Sequence, residues 1–439
     1  MKSLKKLGFW EVFSIGVSGM IGGGIFAVLG LSIQLSHNAA PVAFLIAGLI
    51  ALITAYSYSK LSSRYPSEGG TIEFLVKAYG TGVVSGGLNV MLLASYVVMI
   101  SLYAYAFGSY SANIFGYSEF TKHVLVLVVI TVFTLINALG AVITGRTEDA
   151  LIAFKLSILV LIGAAGLTLV NWGKFSPTTW PTPLNIVTGG MIIFLAYEGF
   201  ELIANAAVDV DSPKTLSKAF YSSVLVVVAV YVTIAIVTVG NLPYNVIVKA
   251  RDYALAIAAK PSLGEIGFWL VTLAALASTS SAINATLYGT ARASYMVARY
   301  GQLPSTIERK VWKGAYEGLI IISLLSLILA NTSSLEAIST AGSGGFLVVF
   351  LMVNLAALKL RNNVKANPLI TSLGVILTLT ALMMLIYRIV ITNPSQLIIL
   401  TALVLGSFIT ETLYRSVTGR RIAEYVDEKL RKREENIRN

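Results

Sequence analysis

Cysteine is absent from the chain, and histidine occurs only at His37 and His123. Without thiols there is no disulfide, no thiolate metal site and no cysteine nucleophile. Two histidines at the edges of expected loops leave metal-based or histidine-based catalysis almost no raw material. Charge is also scarce, with 12% of residues charged against 56% apolar, and the mean hydropathy is +0.79. These proportions exclude a soluble multidomain protein and point to one embedded in a lipid bilayer. At about 20 residues per span, twelve spans would occupy roughly 240 of the 439 residues. That leaves no room for a large aqueous domain, and no cofactor is expected.

Apolar runs do mark twelve candidate spans, so the expected fold class is an all-α polytopic membrane protein. The basic start (Met-Lys-Ser-Leu-Lys-Lys) has the flavour of a signal peptide, but Glu11 interrupts the apolar run and no small-residue cleavage site follows. It is therefore read as the entry to span one, 9–35. The expected organisation is a twelve-span domain over 1–417 and a charged tail over 418–439. The stretch 244–264, between spans seven and eight, is too short to cross and reads as a re-entrant or surface helix.

The net charge of +11 invites a nucleic-acid reading, and its distribution rejects it. An even number of spans puts both termini on one side. Sorted by loop, 25 of the 32 basic residues fall on the terminal side and six on the other, leaving only Lys155 inside a span. By the positive-inside rule both termini are cytoplasmic, the protein is multi-pass in the cell membrane, and no nucleic acid is implied.

Chemistry is expected where apolar spans are interrupted, because backbone groups opened in a bilayer must be satisfied by protein or by a cavity. Span one carries GMIGGGIF, with Gly22, Gly23 and Gly24 in a row. Either the helix opens there and the amides of the next half-helix face an anion, or Gly19 and Gly23 merely allow close helix packing. Span six carries FLAYEGFE, which sets Glu198, Gly199 and Glu201 mid-span. The two breaks lie 176 residues apart in sequence, and each opens a run of five spans. That is the pattern of an inverted repeat with a midplane site, over 1–175 and 184–360, with two appended spans in 367–417.

Lys155 sits within span five. Its stem would either snorkel to the interface or hold an ammonium in the bundle, where desolvation disfavours the charged form and the proton can come and go. ASTSSAINA, 277–285, places four hydroxyls in span eight, and STAGSGG, 339–345, loosens span ten.

Together, GMIGGGIF, FLAYEGFE, DVDSPK (209–214) and SYMVARYGQLP (294–304) make the chain resemble the amino acid-polyamine-organocation superfamily over nearly its whole length. It is especially similar to prokaryotic permeases of the ApcT type. The resemblance implies a LeuT-type 5+5 inverted repeat with two additional helices, and secondary uptake of amino acids by alternating access. It further implies that backbone amides of Gly22, Gly23 and Gly24 hold the substrate carboxylate. Carbonyls of Met20, Leu195, Ala196 and Glu198 would hold its ammonium. Lys155 stands where sodium-coupled relatives bind an ion, with Ser280 and Ser281 where those relatives supply hydroxyls, so a proton is the implied coupling ion. Exchange without ion coupling, and transport of polyamines or cationic amino acids with Glu198 as counter-charge, are the alternatives. Two positions depart from the family pattern: Asp209 fills a place often held by Glu, and Gly23 one often held by Ser or Thr. An intramembrane enzyme is disfavoured because no nucleophile motif accompanies Glu198, Glu201 and Lys155.

Overall fold

The computed structural model describes residues 6–139, 145–299, 310–312 and 315–418. The charged tail, the end of the SYMVARYGQLP motif and the first five residues lie outside the described residues. In chain order the helices are α1 (Phe9–Met20), α2 (Gly24–Ser36), α3 (Ala40–Arg64), α4 (Thr71–Tyr79), α5 (Val83–Ile114) and α6 (Glu119–Ala138). There follow α7 (Gly145–Leu167), α8 (Pro183–Tyr197), α9 (Leu202–Asn205), α10 (Pro213–Asn241), α11 (Tyr244–Lys249) and α12 (Ala254–Arg299). The last five are α13 (Glu317–Thr332), α14 (Leu335–Lys359), α15 (Arg361–Val364), α16 (Pro368–Thr392) and α17 (Pro394–Thr418).

Among the described residues, ten helical stretches are long and apolar enough to cross a membrane, and Gly318–Thr332 is a shorter apolar helix. One of the ten, Gly24–Arg64, holds both α2 and α3, folded back at His37 where φ is 47°. The expectation of an all-helical chain holds except for a small antiparallel ribbon, Lys310–Trp312 with Ala315–Tyr316, and one bridge between Leu7 and Val210.

Burial sorts the helices into an inner and an outer set. α2, α5, α8 and α14 are buried along most of their length. α6, α13, α16 and α17 instead leave Leu127, Leu135, Leu325, Ile328, Ile376, Met383 and Leu405 exposed. Apolar side chains in unbroken outward rows on helices of this length face lipid, because in hydrocarbon such a surface costs nothing. α8 packs against α2 and α3, α10 against α3 and α1, and α12 against α5 and α7.

The stretch 244–264 folds as expected over one end of the bundle. It forms α11, a short turn at Arg251–Tyr253 and the first part of α12, after which the chain turns sharply at Gly264 (φ 61°, ψ −150°). Its turn presses on α2 so closely that a Cβ at Gly30 would overlap the Arg251 backbone.

Candidate functional site

Span one is broken where its glycines cluster. α1 ends at Met20, Ile21 leaves the helical region with ψ 47°, and winding resumes at Gly24. Three poor helix formers in sequence make this the cheapest place to stop. No side chain caps the start of α2, so its first-turn N–H groups lack intrahelical partners.

Span six is broken at Glu198–Glu201. Gly199 adopts φ +116°, a conformation L side chains rarely accept, and its N–H donates to Glu201 Oε2 at 2.6 Å. Tyr96 donates its hydroxyl to Glu201 Oε1 at 3.4 Å. The side chains of Glu198 and Glu201 are both buried. Beyond the break, α9 has only four residues. The chain then tightens into i to i+3 bonds (Ala206 N–H to Ile203, Ala207 N–H to Ala204).

The two breaks touch. A Cβ on Gly19 or on Gly199 would overlap the other residue's backbone, and one on Gly24 would stand 2.7 Å from Ala196 Cα. Opening and close packing, alternatives in the sequence, therefore occur together: the helices open and the glycines let the opened strands meet. The orphan carbonyls are satisfied by two hydroxyls from neighbouring helices. Ser278 of α12 donates to the carbonyl of Ile21 at 2.9 Å and contacts that of Gly22. Tyr231 of α10 donates to the carbonyl of Met20 at 2.7 Å and to that of Ala196 at 3.2 Å. Sequence reading missed both. Ser278 lay within the hydroxyl-rich stretch, whereas Tyr231 is one tyrosine in an apolar span and carried no signal.

A cavity of about 810 Å³ leads to the breaks from one face. Its mouth includes Leu7, Glu11, Glu68 and Asp209, and its inner end includes Tyr103, Gly19, Glu198 and Gly199. Leu7 N–H donates to the Asp209 carbonyl at 2.8 Å and Asp211 N–H to the Leu7 carbonyl at 3.1 Å, which ties the entry of α1 to the exit of span six. The opposite face is closed. There Tyr105 donates to Asp252 at 3.2 Å, the buried Lys122 donates to Tyr105 at 3.1 Å, and Tyr110 donates to the Phe26 carbonyl at 3.2 Å.

Of the expected site residues, Glu198 and Ser281 line the cavity. Met20, Gly22, Gly23, Gly24, Leu195 and Ala196 are buried behind its inner end. Tyr103, which also lines the cavity, has its hydroxyl 3.3 Å from where a Gly22 Cβ would be, so its ring and hydroxyl cover the first break. Lys155 is 2% exposed on α7, and α7 packs against α12, α10 and α1. It does not snorkel. Ser280 is only partly buried on α12, one residue before Ser281.

The family model described as amino acid permease matches residues 7–409. The chain belongs to the amino acid permease family. The permease is 36% identical to an uncharacterised protein of Methanocaldococcus jannaschii, over 95% of this chain and 97% of the relative. It is 32% identical to the inner membrane transport protein YbaT of Escherichia coli, over 94% and 97%. With the branched-chain amino acid permease BcaP of Bacillus subtilis the identity is 22%, over 82% of each chain. Membership places the permease among multi-pass membrane transporters, with small-molecule amino acids as substrate class, and not among enzymes.

Proposed function

We propose that the permease is a proton-coupled symporter that takes up amino acids across the cell membrane by alternating access. The observation that carries this reading is the meeting of two broken helices at the buried end of a cavity lined by Glu198, Gly199 and Tyr103. By the charge sorting the face it opens on is cytoplasmic, as are both termini, and twelve spans form two inverted five-span repeats plus two appended helices. The substrate carboxylate sits on the amides of Gly22, Gly23 and Gly24, at the positive end of α2. Its ammonium sits on carbonyls of Met20, Leu195, Ala196 and Glu198. For this the contact between the breaks opens, since most of these groups lie behind the cavity. Lys155, with Ser280 and Ser281, carries the coupling proton. When protonated it braces α7 against α1 and α12; when neutral it releases that brace. The bias between the two packings is no larger than the differential binding of the proton to them.

The test is uptake into proteoliposomes under an imposed proton gradient. Wild type should concentrate substrate when the outside is acid, and Lys155→Ala should lose that response while still binding substrate. Concentrative uptake by Lys155→Ala with wild-type pH dependence would reject the coupling role.

A second reading is favoured by the cavity wall, which carries Glu11, Glu68, Glu198 and Asp209 and, among the described residues, neither Lys nor Arg. Such a wall raises the local concentration of cations, which suits cationic amino acids or polyamines. Competition of uptake by lysine or spermidine separates the two readings.

A further inference from the structure

Tyr231 is fully buried on α10, and its hydroxyl reaches the last carbonyls of two half-helices that belong to different breaks, Met20 of α1 and Ala196 near the end of α8. Both carbonyls belong to the segments that meet at the Gly19–Gly199 and Gly24–Ala196 contacts. Its ring is held against Tyr197 at 5.1 Å between centroids, and Tyr197 is itself fixed by donating to the Phe44 carbonyl at 3.1 Å. A phenol has one proton. Shared between acceptors at 2.7 and 3.2 Å, that proton satisfies Met20 well and Ala196 incompletely. A primary ammonium brings three donors to the same kind of acceptor pair. It can take both carbonyls where the phenol can only straddle them.

We propose that the Tyr231 hydroxyl is an internal stand-in for the substrate's ammonium. When the site is empty it ties the Met20 and Ala196 carbonyls together and lets the two breaks close on each other; a primary ammonium ligand displaces it, beginning at Ala196. The inference rests on the proposed seat of the ammonium on these carbonyls. In net uptake the protein must return empty, whereas in exchange it returns loaded, so a device that stabilises the empty closed seam serves net uptake alone. Tyr231 is thus a positioning residue, acting through the carbonyls.

Tyr231→Phe removes the donor and leaves the ring. The freed carbonyls no longer need to be won from the phenol, so binding of an amino substrate should tighten on the order of fivefold, the equivalent of one net hydrogen bond. Net uptake should fall relative to exchange. The full-length protein is assayed for stabilisation by each of the twenty standard L-amino acids; the best stabiliser is then compared with its des-amino acid and followed in proteoliposomes for net uptake and for exchange. Three results overturn the proposal, in distinguishable ways. If none of the twenty stabilises wild type, or the des-amino acid binds as well as the amino acid, the ammonium seat itself is wrong and the inference falls with it. If wild type requires the amine but Tyr231→Phe leaves affinity and the uptake-to-exchange ratio unchanged, or lowers both fluxes equally, the seat stands and the role of Tyr231 is wrong. Should Tyr231→Phe fail to fold, 3-fluorotyrosine at position 231 keeps the bond and strengthens the donor. Amine affinity should then weaken, and a tightening or no change would overturn the proposal.

Discussion

The contact between the breaks makes Gly24→Ala the most informative single change. The added Cβ would stand 2.7 Å from Ala196 Cα and 2.9 Å from Ala196 Cβ. Carbon atoms rest at about 3.5–4.0 Å, so the half-helices must part by roughly 0.8 Å or more. Two costs follow. Overpacking of a well-filled interior is worth about 1–3 kcal/mol. The bond from Tyr231 to the Ala196 carbonyl, already 3.2 Å, would lengthen to ~4 Å, which is no longer a hydrogen bond, and loses about 0.5–1.5 kcal/mol. The sum is about 1.5–4.5 kcal/mol, from one methyl group in a helix where alanine is otherwise the better residue by about 1 kcal/mol. Thermal unfolding in detergent and substrate uptake are measured beside Gly406→Ala, because a Cβ at Gly406 on α17 meets nothing within 4 Å. Gly24→Ala should lower the melting temperature and cut uptake strongly, and Gly406→Ala should do neither. If Gly24→Ala melts and transports like wild type, the two breaks do not meet at Gly24 and Ala196.

Ser278→Ala removes the hydroxyl that serves the carbonyls of Ile21 and Gly22. Leaving these buried acceptors unpartnered should destabilise by about 1–3 kcal/mol, read by thermal unfolding, whereas Ser278→Thr should retain most of the stability. Glu198→Gln keeps the size of a side chain that lines the cavity and removes its acidity, so uptake of neutral amino acids should persist while lysine or spermidine competes less well. Equal competition before and after would remove the Glu198 side chain from the recognition of cations.

The sequence by itself determined the membrane embedding, the family and the positions of both helix breaks. Each of these is written locally. Apolar run length decides what can cross a bilayer, and three glycines in a row at Gly22–Gly24, or Gly199 beside two carboxyls, lower the cost of stopping a helix there. That 244–264 would fold as short helical pieces rather than cross was legible for the same reason, since its apolar run is too short to span. What satisfies the opened backbone was not legible, because a hydroxyl reveals its role only through the carbonyl it reaches. Tyr231 lies 211 residues from Met20, and Ser278 lies 257 residues from Ile21. In sequence Tyr231 looks like an ordinary residue of an apolar span, and Ser278 is one of four hydroxyls with nothing to say which carbonyl it serves. Lys155 is a like case: a lysine stem is long enough to snorkel or to stay inside, and only the packing of α7 on α12, α10 and α1 decides for the interior. The glycines show the division most plainly. Their clustering marked where a helix could open or pack closely, but only the tertiary structure brought Gly19 to Gly199 and Gly24 to Ala196. Close approach depends on two backbones and is not encoded at either one.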